Sequence, residues 1–140
     1  MIFKKEFKEV GSPTNCTDLD FVQAIQEREP IHQHCTDQEM KDRYTQYFEM
    51  LERYEYSVRD NDGKLLAIMV VSADFDLHLG QLCLVPTMAY SLKAGLLYGA
   101  YKWFYSLPRE TGIKWIRTSK TKGYEIITKY KEMSIDGATF

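Results

Sequence analysis

Asp74-Phe75-Asp76-Leu77-His78-Leu79-Gly80-Gln81-Leu82-Cys83-Leu84-Val85-Pro86 decides the fold. Phe75, Leu77, Leu79, Gln81 and Cys83 alternate with Asp76, His78, Gly80, Leu82 and Leu84, and a period of two predicts a strand over 74–85 that stops at Val85-Pro86. Immediately upstream, Tyr54 to Arg59 and Leu65 to Ser72 are β-rich runs around Asp60-Asn61-Asp62-Gly63, whose Asp-Gly pair suits the positive φ of a hairpin turn. Three consecutive antiparallel strands are therefore expected in the middle of the chain.

Further out on the N-terminal side, Met1 to Val10 alternates as an opening strand until Gly11-Ser12-Pro13 breaks it. Thr17 stands three residues before Asp20, and Leu19, Phe21, Ala24 and Ile25 form an apolar helical face reaching about Glu29, where Pro30 ends it. Thr36 and Glu39 make a capping box before Met40, Tyr44, Tyr47, Phe48 and Leu51, which recur at helical spacing. On the C-terminal side, Leu92, Leu96, Ala100, Trp103, Phe104 and Leu107 mark one face of a long helix from Val85-Pro86 to Leu107, stopped by Pro108. Ile113 to Thr118 reads as a strand. Lys122 to Met133 reads as a closing helix on Ile126, Ile127 and Tyr130, with a last short strand around Ala138.

The chain has 140 residues, the size of one domain, so a single domain over 1–140 is expected. With 44% hydrophobic and 27% charged residues it is too apolar for a disordered chain, and a net charge of −2 argues against nucleic acid as a partner. Beyond Met1-Ile2-Phe3-Lys4-Lys5 there is no apolar run of signal-peptide or membrane-span length, which points to a cytoplasmic protein or one packaged from the cytoplasm, without a membrane partner. Cys16, Cys35 and Cys83 are odd in number and read as free thiols. His32, His34, Cys35, Asp37 and Glu39 lack a second ligand pair at zinc-like spacing and read as a polar loop, so no metal is expected. Tyr98, Tyr101, Trp103, Phe104 and Tyr105 exceed what one buried helix face can use, which suggests a protein partner. Lys114, Arg117, Lys120, Lys122, Lys129 and Lys131 make the C-terminal part basic, suited to an adenosine phosphate, an acidic partner or plain solvation.

The order of strand, two helices, three antiparallel strands, helix, strand and helix resembles the GNAT acetyltransferase superfamily, most sharply between Gly80 and Met133. In that family a strand ending in Val-Pro leads into the turn and helix that hold acetyl-coenzyme A; here Leu82-Cys83-Leu84-Val85-Pro86 precedes Gly95-Leu96-Leu97. Tyr124 to Met133 is similar to the family helix that carries a tyrosine, and Tyr130 falls on that position. The resemblance implies an α/β (α+β) fold, a central, mostly antiparallel mixed sheet flanked by about four helices. It further implies acetyl-coenzyme A lying against Leu84, Val85, Tyr90, Ser91, Lys93, Ala94 and Gly95, and an acceptor amine that attacks the thioester. Tyr130 would be the acid that protonates the thiolate. His78 or Asp76, expected on one strand face leading to a cleft between the strands ending at Val85 and Thr118, would be the base.

Two departures open a second reading. Thr87-Met88-Ala89-Tyr90-Ser91-Leu92-Lys93-Ala94-Gly95 replaces the family's glycine-rich loop, whose glycines let backbone N–H groups approach the pyrophosphate, and Ser134-Ile135 replaces its Gly-Phe. The chain is expected to be either an acyl-coenzyme A dependent N-acetyltransferase or a non-catalytic binding or structural protein. The second alternative resembles the GNAT-like virion components and host-directed factors of bacteriophages.

Overall fold

Gly63 takes φ +84°, and the Asp60 side chain accepts the N–H groups of Asp62 and Lys64 at 2.9 Å each, so the chain reverses at this turn. Arg53–Arg59 (β2) and Leu65–Asp76 (β3) consequently pair antiparallel. The computed structural model describes residues 1–136, and Ile2–Lys8 (β1), Gln81–Ser91 (β4), Trp115–Lys122 (β5) and Glu125–Glu132 (β6) complete a six-stranded sheet in the order β1-β2-β3-β4-β5-β6. All neighbours are antiparallel except β4 and β5, which run parallel. The fold is α+β with a mixed, open sheet.

Helices cover both faces of β3, which explains why Leu65 to Val71 is continuously apolar rather than alternating. Ala67, Met69 and Val71 point to one face, where they meet Ala100, Phe104 and Leu107 from Tyr98–Phe104 (α3) and the start of Leu107–Thr111 (α4). Ile68 and Val70 point to the other, against Phe21, Val22 and Ile25 of Leu19–Arg28 (α1) and Met40 and Phe48 of Asp37–Glu49 (α2). Full burial of each such Phe, Ile or Leu is worth about 1.5–3 kcal/mol, so the double-sided core dominates stability. The Thr36–Glu39 capping box of α2 is formed. Asp18, at the N-cap of α1, makes no capping bond; its carboxylate instead takes the Leu65 N–H at 2.9 Å and Arg59 at 3.4 Å. The loop before α1 is fastened to β2 by a buried ion pair. Arg53 donates to Glu55 at 2.6 Å and to the Ser12 carbonyl at 2.7 Å, while Glu55 accepts from the Thr14 hydroxyl and the Asn15 N–H at 2.8 Å each.

The structure corrects the sequence reading in three places. The stretch 74–85 is not one strand: Leu77–Gly80 is a turn, with Gly80 at φ +66° and its N–H on the Asp76 carbonyl at 2.8 Å. Nor does β4 stop at Val85-Pro86. Val70 pairs with Met88 but Val71 with Pro86, so Thr87 is an extra residue in a bulge, a position beside which proline's missing N–H is tolerated. Because Tyr90 and Ser91 still pair with Ile68 and Ala67, and Met88, Tyr90 and Leu92 pack on the α1/α2 side, strand pairing outcompetes the expected long helix. What remains of that helix is α3 and α4, and Pro108 lies in the first turn of α4 rather than after a helix. Third, Lys122 to Met133 is not helical. Gly123 at φ +62° joins Lys122 to Glu125 in a two-residue hairpin turn, and β6 pairs with β5 along its whole length. The short strand expected around Ala138 lies outside the described residues.

Candidate functional site

The turn after β3 is built on Asp76. Its Oδ1 accepts the N–H groups of His78 at 2.8 Å and Leu79 at 3.0 Å, an arrangement short polar side chains favour at turns. Its Oδ2 faces the β5–β6 hairpin and accepts from Arg117 Nη1 at 2.8 Å and the Tyr130 hydroxyl at 2.9 Å. Arg117 extends its second arm to Asp74 at 2.8 Å. Register explains the meeting: Arg117 and Tyr130 are directly paired across β5 and β6, and both project to the side of Asp74 and Asp76. Asp76, Arg117 and Tyr130, together with the exposed Phe75, Leu77 and His78 and the hydroxyl pair Ser119–Thr128 (3.1 Å), line an open groove of about 810 Å³.

Electrostatics follow from these contacts. Burial opposes ionisation of Asp76, but hydrogen bonds from Arg117, the Leu79 N–H, Tyr130 and the His78 N–H prevail and hold its carboxyl down at about 2. Tyr130 is pushed the other way, chiefly because its hydroxyl bonds to Asp76, with desolvation adding to the rise. Arg117, between two carboxylates, is firmly charged.

Tyr130, Asp76 and His78, the expected acid and bases, are therefore gathered in one groove, though not as the resemblance implied. Tyr130 stands on a strand, 39% exposed, and not on a helix. Asp76 ends β3 whereas His78 lies in the turn beyond it, so the two do not share a strand face. Arg117, which joins the constellation, was legible only as part of a basic segment, because its link to Asp74 and Asp76 depends on how β5 is placed beside β4.

The residues expected to hold acetyl-coenzyme A lie along β4 and past its end. Leu84 is 1% exposed, packs in the core and is paired with Ala73 on one side and Ile116 on the other, so it is closed to a ligand. Val85 follows the last pair that joins β4 to β5: Cys83 meets Trp115 and Leu84 meets Ile116, after which the strands have no further pairing. Tyr90 packs edge-on against Phe21 at 6.1 Å and under the Arg28 guanidinium, and burial raises its phenol despite that cation. Arg28 spends its donors on the carbonyls of Ser91 at 3.0 Å and Leu92 at 3.3 Å, and the Ser91 hydroxyl bonds the Lys93 carbonyl. Lys93, Ala94 and Gly95 sit exposed in the turn before α3, a helix of 7 residues without a side-chain cap. Ser91 and Arg28 are thus committed within the chain, which leaves Lys93, Ala94 and Gly95 as the exposed residues at that end of β4. Ser91 is separated from the groove by the length of β4, roughly 30 Å at strand rise, whereas Leu84 and Val85 lie near its groove end.

Elsewhere, His32 is half-buried in a single 3-10 turn, Pro30–His32, where burial lowers its pKa against the pull of Glu29. No group of three or more metal-capable side chains occurs among the described residues, and no helix there is long and apolar enough to cross a membrane. Comparison with protein-family models, curated proteins and solved structures finds no match to this chain.

Proposed function

We propose that the chain is a GNAT-like scaffold that acts by binding a protein partner through the Asp76–Arg117–Tyr130 groove, and not by acyl transfer. The carrying observation is the saturation of Asp76. Its two oxygens accept four hydrogen bonds, so it has no acceptor position left for an amine proton, and a carboxylate with a pKa of about 2 is a poor base near neutrality. Tyr130 has its proton on Asp76 and a raised pKa, which makes it a poor donor to a thiolate. What the groove offers instead is contact: Leu77 at 89% and Phe75 at 56% exposure beside the Ser119–Thr128 hydroxyls, a surface matched to an extended peptide with an apolar side chain. A bacteriophage virion component or host-directed factor is the kind of protein this reading describes.

A second reading, an acyl-coenzyme A dependent N-acetyltransferase, draws support from one feature. Past Leu84 the edge of β4 toward β5 has no strand partner, which leaves an opening at Val85 where the resemblance expects the thioester. Calorimetric titration with acetyl-coenzyme A at low salt separates the two. No heat of binding at about millimolar cofactor is the result expected of a binding scaffold, and micromolar affinity would overturn it.

A further inference from the structure

Among the described residues strand β6 is an unpaired edge of the sheet, and all of its residues are exposed. Edges of this kind are usually blocked by proline, bulges or charged side chains, lysine above all; β6 has neither a proline nor a break in its register, and its Lys129 and Lys131 are accompanied by Glu125 and Glu132. Its sequence, Glu125-Ile126-Ile127-Thr128-Lys129-Tyr130-Lys131-Glu132, is complementary to itself about Thr128. If two copies meet antiparallel around a twofold axis at Thr128, Glu125 faces Lys131 at both ends, Ile126 faces Tyr130 on both sides of the axis, Thr128 meets itself, and only Ile127 opposite Lys129 is unmatched. Acid–base and aliphatic–aromatic neighbours are the combinations that favour cross-strand pairing. An axis at Lys129 would set that lysine against itself, and one at Ile127 would leave Tyr130, Lys131 and Glu132 without counterparts in β6, where the axis at Thr128 leaves Glu132 alone.

The opposite edge has this property in weaker form. In β1, Ile2-Phe3-Lys4-Lys5-Glu6-Phe7-Lys8, an axis at Lys5 also opposes Phe3 to Phe7 and Lys4 to Glu6, but it sets Lys5 against itself at the centre and Ile2 against Lys8 at both ends, and Phe3 and Phe7 already pack on Tyr56 and Tyr54. The geometry points to a homodimer made by antiparallel pairing of two β6 edges, which extends one sheet through both copies. Thr128 and Tyr130 line the groove, so the twofold brings the grooves of the two copies together, with Ile126 of the second copy beside Tyr130. This holds whatever the groove binds.

One strand pair is small beside ordinary stable interfaces, so the dimer has a dissociation constant on the order of 10–100 µM. Sedimentation velocity from about 1 to about 500 µM protein brackets that value and tests it, with circular dichroism confirming that each variant is folded. Wild-type protein should pass from monomer to dimer across the range. Lys131→Glu and Glu125→Lys each place like charges opposite one another twice and should weaken association about tenfold or more, and the combined exchange should restore it to within about threefold. A monomer at every concentration overturns the proposal, as does a dimer indifferent to both single exchanges or one not restored by the pair. A dimer abolished by Lys4→Glu, which would set the new carboxylate against Glu6 twice across a β1 pair, but not by the β6 exchanges would locate the contact at β1 and overturn it equally.

Discussion

Arg53 and Glu55 are 1% and 0% exposed, and between them they hold the loop containing Ser12, Thr14 and Asn15 against β2. Arg53→Met leaves the Glu55 carboxylate buried with only neutral donors, Thr14 and Asn15, and abandons the Ser12 and Leu51 carbonyls. Breaking a buried pair from one side costs about 3–5 kcal/mol, a large share of the roughly 5–15 kcal/mol that stabilises a domain. At about 3–4 °C per kcal/mol for a chain of this length, the midpoint of thermal unfolding should fall by roughly 10–20 °C. Glu55→Gln strands the guanidinium in turn and should cost about 2–4 kcal/mol while keeping an acceptor for Asn15. The double variant has no uncompensated charge and should be little worse than the worse single, a coupling of about 2–3 kcal/mol. Urea unfolding of the four proteins gives the cycle directly. A cost below about 1 kcal/mol for Arg53→Met, or single costs that add within about 0.5 kcal/mol, would refute the assignment of the loop's anchorage to this pair.

Other consequences can be checked on the same material. Asp76, held at about 2, binds fewer protons when folded than when unfolded, so its stabilisation is complete above the unfolded carboxyl range near 4 and disappears as pH falls toward 2. Asp76→Asn should flatten the stability profile in that window, and an unchanged slope would count against the Arg117 and Tyr130 bonds. Burial, with Glu55 and Asp18 adding to it, pushes the Cys16 thiol up to about 12, and burial also raises Cys83. At pH 8 an aromatic disulfide reagent should therefore modify Cys35 first, the other two reacting only as the protein unfolds; simultaneous loss of all three thiols would contradict the packing. A Cβ on Gly99 would stand 2.8 Å from the Tyr56 hydroxyl. Gly99→Ala should destabilise by about 1–2 kcal/mol alone yet become neutral or stabilising beside Tyr56→Phe, where alanine's helix preference is unopposed. A Gly99→Ala penalty that persists beside Tyr56→Phe would show that the hydroxyl is not the obstacle.

The central hairpin could be read from local chemistry because Asp60 and Gly63 impose the reversal and the flanking apolar runs have one way to be buried. The Thr36–Glu39 box was legible for the same reason: both its bonds lie within one turn of chain. Glu125 to Glu132 shows where local reading ends. Ile126, Ile127 and Tyr130 satisfy a helical spacing, and Ile126, Thr128 and Tyr130 satisfy a strand; with every position exposed, burial contributes nothing to the choice. Gly123 was the available signal, since a glycine followed by one residue between β-rich runs fits a hairpin turn. At Leu77 to Gly80 the alternation was real but coincidental, and the turn is set by Asp76 accepting two N–H groups that follow it. The groove itself was half visible: Asp76, His78 and Tyr130 were singled out, while Arg117 required the parallel approach of β5 to β4, a contact between distant segments that no periodicity encodes.

That approach amounts to two residue pairs, Cys83 with Trp115 and Leu84 with Ile116. The β5–β6 hairpin beyond it is thoroughly laced within itself and more lightly fastened to the rest, its moorings to the sheet including the buried Ile116 side chain and the bonds of Arg117 and Tyr130 to the acids at the end of β3. Its amide hydrogens should accordingly exchange with solvent as one cooperative block, well before those of β2 and β3. A partner that competes for Arg117 would then loosen a lever arm as well as occupy a surface, so that occupancy of the groove would be transmitted as a change in the hairpin's inclination.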